Sequence, residues 1–344
     1  MGSVAPPGRS ALTLRLSLSL IGGLVVAIVL LTMEARTRDH AFRVTRARSA
    51  MGTVLEIDAF GADRVSTEAA VTAAFQAVDE VEQRLSNWRA DSELSLANTA
   101  TGRPFSLTPR TFRSLSVALS LARETDGAFD PTVGAITEAL GLTGREPDPR
   151  RARPEAVGWR KARLDARTRT LFFATAGGSI DSGGFGKGEG LDYALLELHR
   201  HGVSAARLNF GGQICLVGSA TAVARREDLG EVSIAEPRSG SVRELCRFSP
   251  GDGSVSTSGV SEHPGHIVDP ATGLAAPFAG SVTVVADTGT RADALSTALF
   301  VLGPKAGIAF ADRRGIAALF VVPLSGGGWD LLPSRQFPRL RRLS

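Results

Sequence analysis

Three features of the 344-residue sequence predict an α+β fold. Short runs of β-branched and aliphatic residues, bounded by Gly, Pro and Ser, recur as strands. Between them, apolar residues return at three- and four-residue intervals, the spacing of amphipathic helices. The two kinds of segment follow one another without regular β-α-β alternation, which favours a mixed or antiparallel sheet carrying helices. No repeat of fixed period is present.

Composition narrows the function classes. With 43% hydrophobic and 22% charged residues the chain is ordinary globular protein. Setting aside an apolar N-terminal segment leaves about 300 residues, enough for one large domain or two lobes. The net charge of +4 is small, and the pI of 9.6 comes from arginine, since the only lysines are Lys161, Lys187 and Lys305. Basic residues are scattered without an aromatic–basic stripe, so no nucleic-acid partner is expected. Arg335, Arg339, Arg341 and Arg342 read as a solvated basic tail over 331–344. Cys215 and Cys246 lack metal-ligand spacing and sit among apolar neighbours; they read as buried thiols, able to pair only in an oxidising compartment.

Residues 16–33 form an uncharged apolar run preceded by Arg9 and Arg15, long enough to span a bilayer. Residues 1–36 are therefore expected to be a signal anchor or signal peptide. The expected location is the cell membrane, single-pass, with the globular part (45–330) on the periplasmic or extracytoplasmic side. Five arginines after the run weigh against export under the positive-inside rule.

A strand is expected over 53–59, just after Met51-Gly52-Thr53. Val71, Ala74, Phe75, Val78, Val81 and Leu85 then mark a helix over 66–85, and Ser86 to Glu93 a polar loop. Thr108 as cap and Pro109 at the first helical position open a second helix that stops near Gly127. Residues 145–170 look like a surface connection. Short strands follow at 206–208, 214–217, 232–235 and 282–286. Helices at 292–302 and 304–313 and a strand at 317–322 complete the chain.

The most informative stretch runs from Asp181 to Asp192, DSGGFGKGEGLD. A glycine-dense turn between a strand and a helix start lets backbone N–H groups approach an anion. It fits neither G-x-x-x-x-G-K-[ST], for which Asp181 and Gly188 are wrong, nor G-x-G-x-x-G at any register. A tight turn with an exposed Lys187 is the plainer alternative. Further on, Asp293 and Thr297 are four residues apart on one helix face, a carboxylate and a hydroxyl suited to a hard cation such as Mg²⁺; Thr290 and Asp293 equally form a capping box. His266 adjoins the rigid turn Asp269-Pro270, where its imidazole is either an ordinary histidine or a group able to take a proton from a hydroxyl. Asn209-Phe210-Gly211-Gly212-Gln213 and Thr257-Ser258-Gly259 are small-residue loops open to close backbone approach.

Taken in order, these motifs resemble the ApbE-type flavin transferases. The likeness runs from Met51-Gly52-Thr53 through Thr125-Asp126-Gly127-Ala128-Phe129-Asp130-Pro131-Thr132 and the Asp181–Asp192 stretch. It continues through Asn209 to Gly212, Thr257-Ser258-Gly259 and His266-Ile267-Val268-Asp269-Pro270 to Ala292-Asp293-Ala294-Leu295-Ser296-Thr297. The resemblance implies a T-fold-related, two-lobed α+β fold with FAD in a cleft and Mg²⁺ at its pyrophosphate. It implies metal ligation by Asp293, Thr297 and the Gly184 carbonyl, and His266 as base. It implies FAD contacts from Met51, Trp88, Ala128, Phe129, Asp130, Asp181, Lys187, Ser258 and Ile267. The implied reaction moves an FMN phosphoryl group from FAD to a Thr or Ser hydroxyl of an acceptor protein, a membrane redox subunit or FMN-binding domain, with release of AMP. The alternatives are a Mg²⁺-dependent FAD pyrophosphatase and a non-catalytic flavin-binding protein. The sequence departs from the family pattern at Gly186 before Lys187, at Glu189-Gly190 after Gly188, and at Gln213, where an acid is usual.

Overall fold

The structure, a computed structural model, describes residues 41–100, 102–143, 146–218, 229–261 and 265–343. The apolar run at 16–33, and with it the expected anchor, lies outside the described residues.

Strands β1 (Phe42–Ala50) and β2 (Thr53–Gly61) form a hairpin and lead into helix α1 (Arg64–Leu85). Asp63 caps that helix, its carboxylate accepting from the Ser66 N–H. Short helix α2 (Glu93–Thr99), strand β3 (Phe105–Ser106) and helix α3 (Pro109–Glu124) follow. Thr108 and Pro109 open α3 as the sequence predicts. After the single turn α4 (Gly134–Thr137), the stretch 145–170 read as a surface connection contains strand β4 (Ala162–Asp165), which pairs with β5 (Thr170–Phe173) just after it. Helix α5 (Gly186–Arg200) then gives way to β6 (Ala205–Phe210) and β7 (Gln213–Val217). Strands β8 (Val232–Ala235), β9 (Glu244–Phe248), β10 (Gly253–Gly259) and β11 (Ser281–Ala286) precede the long helix α6 (Gly289–Arg314). That helix breaks at Gly303, before Pro304, at the junction between the two helices expected from the sequence. Strands β12 (Ala317–Pro323), β13 (Trp329–Pro333) and β14 (Arg341–Arg342) end the chain.

The main sheet has eight strands in the order β1-β2-β6-β7-β10-β11-β12-β13, every neighbouring pair antiparallel. Strand alternation sends its side chains into two cores. On β12, Ala318 and Phe320 meet Leu295 and Leu299 of α6, while Leu319 and Val321 face Ile234 and Phe248 of the small sheet β14-β9-β8. Leu55, Ile57 and Leu208 likewise pack under Val71 and Val78 of α1 and Leu191 of α5. The third sheet, β3-β5-β4, joins α2 and α3 in a core with Phe129, Ile180 and Phe185.

Residues 331–344 are not a solvated tail. Phe337 is buried 4.8 Å from the ring of Phe248, β14 pairs with β9, and Arg341 and Arg335 bond Glu231 and Asp312. Burying one aromatic side chain removes enough apolar area from water to dock such a segment. Cys215 and Cys246 are free and buried on β7 and β9.

Helices α5 and α6 cross with their first turns in contact. A Cβ at Gly188 would lie 2.2 Å from the Gly289 carbonyl oxygen, and one at Gly289 would lie 2.4 Å from that of Gly188. Glycine at both positions is what lets the two backbones meet.

Two outcomes follow. Gly188→Ala gains about 1 kcal/mol of helix propensity, but the clash is with backbone and cannot relax by a rotamer change. A net destabilisation of about 1–3 kcal/mol is expected in urea unfolding. Burial pushes the thiol pKa up to about 12 for Cys215 and about 11 for Cys246. Native protein should therefore be unreactive toward a disulfide reagent near pH 8.5, the ordinary thiol range, whereas the unfolded chain should titrate its two thiols. Because only the unfolded thiols ionise there, their contribution to stability falls as pH rises above that value.

Candidate active site

A cavity of about 1010 Å³ opens where α5, α6, β7, β10 and the loops of α4 converge. Its wall includes His266, Ile267, Trp88, Ala128, Phe129, Asp130, Asp181, Gly184, Lys187, Ser258, Asp293 and Thr297. Met51 is not among the lining residues. Its side chain packs at the junction of two cores, near Gly190, and its N–H donates to Glu82 at 3.1 Å.

The central stretch is less of a loop than its glycines suggest. Residues 182–185 turn, with the Gly186 N–H bonding the Ser182 carbonyl, and α5 already begins at Gly186. No side chain caps this helix, whose N-cap is Phe185. Its positive end therefore faces the cavity together with the half-buried Lys187.

The two helix starts exchange carboxylates. Asp192 of α5 accepts from the Gly289 N–H, from the Thr290 N–H at 2.9 Å and from the Thr290 hydroxyl at 2.7 Å, which satisfies the first donors of α6. Asp293 of α6 in return accepts from the Gly188 N–H at 3.1 Å. The capping box expected between Thr290 and Asp293 does not form, because Thr288 caps α6 and Asp293 reaches across to α5. Burial raises the pKa of Asp293, while Lys187, the Gly188 N–H and Ser256 pull it down. Burial also raises Asp192, against the hydrogen bonds of Thr290 and Gly289.

Thr297 lies one turn beyond Asp293, and Gly184 closes the group: a Cβ there would sit 3.3 Å from Thr297 Oγ1 and 3.1 Å from Phe129. A buried carboxylate, a hydroxyl and the Gly184 backbone thus share one corner. Among the described residues, no cluster of three or more His, Cys, Asp or Glu occurs.

Several lining residues have structural duties. Asp130 accepts from Thr132 N and Oγ1 at 2.9 and 2.6 Å and from Trp159 N at 2.6 Å, so both oxygens clamp the loops behind the cavity. Burial nevertheless raises its pKa. Asp181 accepts from Gly183 N and from Thr137 Oγ1, each at 2.7 Å. The Phe129 ring is buried edge-on to Phe185. Trp88 is 72% exposed and lines the cavity. Asp269 bonds Ala271 N and Thr272 Oγ1, the turn chemistry read from the sequence, and His266 just before this turn lines the cavity at its exposed rim.

Residues 51–320 match the model of the ApbE family. The chain belongs to the ApbE family. It is 30% identical to the FAD:protein FMN transferase of Rhodobacter capsulatus, over 94% of this chain and 62% of that longer protein. It is also 30% identical to the FAD:protein FMN transferase of Treponema pallidum, over 84% of this chain and 86% of that one. The flavin transferase ApbE of Vibrio cholerae superposes with a TM-score of 0.76 at 27% identity, covering 87% of this chain and 99% of that one.

Two residues at the helix crossing carry no sign of their partners in the sequence. Asp192 was visible only as the end of a glycine-rich stretch, and its bonds to residues almost a hundred positions away carry no local signal. Gln213 was noted as a departure; its amide donates to the Gly289 carbonyl at 2.9 Å and ties β7 to the same crossing. Asp192→Ala should leave the first N–H groups of α6 buried without partners and lower stability by about 1–3 kcal/mol, measured by chemical unfolding.

Proposed function

We propose that this chain is a FAD:protein FMN transferase that splits FAD between its phosphates, passes the FMN phosphoryl group to a Thr or Ser hydroxyl of an acceptor protein, and releases AMP. The observation that carries the reading is the convergence of Lys187, Gly184, Asp293 and Thr297 on one cavity, at the N-terminus of α5. A cation and a positive helix end suit a pyrophosphate.

The donor set fits Mg²⁺. All three candidate ligands, the Asp293 carboxylate, the Thr297 hydroxyl and the Gly184 carbonyl, are oxygens. A carboxylate buried as Asp293 is calls for a compensating cation. So few protein ligands leave positions for water and phosphate oxygen. When bound, the ion supplies charge neutralisation on the pyrophosphate.

The chain's own residues do the rest. Lys187 and the uncapped start of α5 hold the phosphates, and Trp88 offers an aromatic face to a ring. His266, at the exposed rim, takes the proton from the acceptor hydroxyl as its oxygen bonds the FMN phosphorus. The bond from that phosphorus to the bridging oxygen breaks, and the oxygen leaves with AMP. Such transfer depends on positioning and charge neutralisation.

The test is incubation with FAD, Mg²⁺ and an acceptor carrying the Thr/Ser motif. A fluorescent acceptor band in a denaturing gel is expected. Release of FMN and AMP without labelling would instead mark a pyrophosphatase, and intact bound FAD a binding protein. Asp293→Ala should lower Mg²⁺-dependent FAD turnover by about a hundredfold or more while keeping the parental circular dichroism; unchanged turnover would remove the metal from this account.

A further inference from the structure

The Asp293 carboxylate is approached from a second side by a line of serine hydroxyls. Ser256 and Ser258 lie two residues apart on β10 and so point to one face of the strand. Ser296 follows Asp293 by three residues on α6 and meets them from the helix. Ser258 Oγ is 2.9 Å from Ser296 Oγ, and Ser296 Oγ is 3.3 Å from Ser256 Oγ. The Ser256 hydroxyl faces the Asp293 carboxyl, whose pKa it pulls down, and both residues line the cavity. All four residues are buried.

Proton counting gives this line a direction. An ionised carboxylate only accepts, and each hydroxyl carries a single proton. Ser256 accepts from Ser296, which leaves its own proton for the neighbouring Asp293 carboxylate. Ser296, whose proton is shared between Ser256 and the Asp293 carbonyl at 2.9 Å, accepts from Ser258. Ser258, which lines the cavity, is left with acceptor lone pairs on that side. Three hydroxyls on two elements thus lead to one carboxylate, while the Gly188 N–H of α5 holds its Oδ2 atom.

We propose that Ser256 and Ser296 are positioning residues that aim the Asp293 carboxylate at a divalent cation. The inference rests on the reading of Asp293 as a metal ligand given above. Groups that hydrogen-bond a metal-ligating carboxylate fix its rotamer before the ion arrives, and their loss typically weakens metal binding by about 10–100-fold.

The experiment titrates Mn²⁺ alone into the full chain and into Ser256→Ala, Ser296→Ala and the double variant, following free Mn²⁺ by electron paramagnetic resonance. Each single variant should bind at least about tenfold more weakly, and the double variant little worse than either, because both break one chain. The Mg²⁺ concentration for half-maximal FAD turnover should rise in parallel, with kcat recovered at saturating Mg²⁺. Ser296→Thr, which keeps a hydroxyl, should recover most of the affinity. If an alanine variant fails to fold, Ser256→Cys, of similar volume but a poor donor, replaces it and should show the same weakening. Parental Mn²⁺ affinity in the folded variants would overturn this inference alone. A parent chain that binds no Mn²⁺ would overturn the metal reading beneath it as well.

Discussion

The crossing of two helix N-termini is the contact on which the rest of the site depends. Gly188 and Gly289 touch backbone to backbone, and each helix supplies a carboxylate to the other's first N–H groups: Asp192 to Gly289 and Thr290, Asp293 to Gly188. The arrangement is costly in isolation. Two buried carboxylates lie close enough that Asp293 pushes the Asp192 carboxyl pKa upward. What offsets this is the positive end of each helix, the hydrogen bonds themselves and the Lys187 ammonium, which pulls Asp293 the other way. The negative groups are thus held in place by the same dipoles that make the hollow above them attractive to phosphate.

That crossing also sets where everything else stands. The first turn of α5 carries Lys187, and the turn just before it carries Gly184; the second and third turns of α6 carry Asp293 and Thr297. Because both helices are anchored on one antiparallel sheet through the cores beneath β2, β6 and β11, a shift of either would require repacking residues such as Leu191 or Leu295. A site assembled from segments more than a hundred residues apart is thereby as rigid as the core. Rigidity of this kind is what group transfer needs, since its catalysis is mostly placement.

Much of this architecture is legible in the sequence, and the exceptions share physical causes. Helices α1, α3 and the two halves of α6 announce themselves by apolar spacing, and α3 also by its cap at Thr108, whereas the caps Asp63 and Thr288 emerge only in the structure. Strands β8, β11 and β12 show as aliphatic runs. Strand β10 does not, because its inward face is serine: Ser254, Ser256 and Ser258 point to helix α6 and the cavity rather than to an apolar core, so the alternation that marks a strand is absent. The glycines of the central stretch were legible as a demand for close approach, but sequence cannot say to what. Gly188 meets another helix and Gly184 meets Thr297, while only the backbone between them turns. Met51 and Asp130 carry motif signals whose side chains are spent on packing and on loop clamping.

Gln213 shows how the same electrostatics explain a departure from the family pattern. Its side chain is 2% exposed, and its amide nitrogen donates to the Gly289 carbonyl at the helix crossing. An ionised acid in this position would set a carboxylate oxygen against that carbonyl and add a third negative group beside Asp192 and Asp293. It would have to bind a proton to make the same bond. The amide makes the bond without changing the charge, at the expense of its own oxygen, which is buried with no hydrogen-bond partner among the described residues. One unpaired neutral acceptor costs about 1–3 kcal/mol, whereas an uncompensated buried carboxylate costs several. With the Lys187 charge already acting on Asp293, the neutral side chain is the less costly solution for this chain.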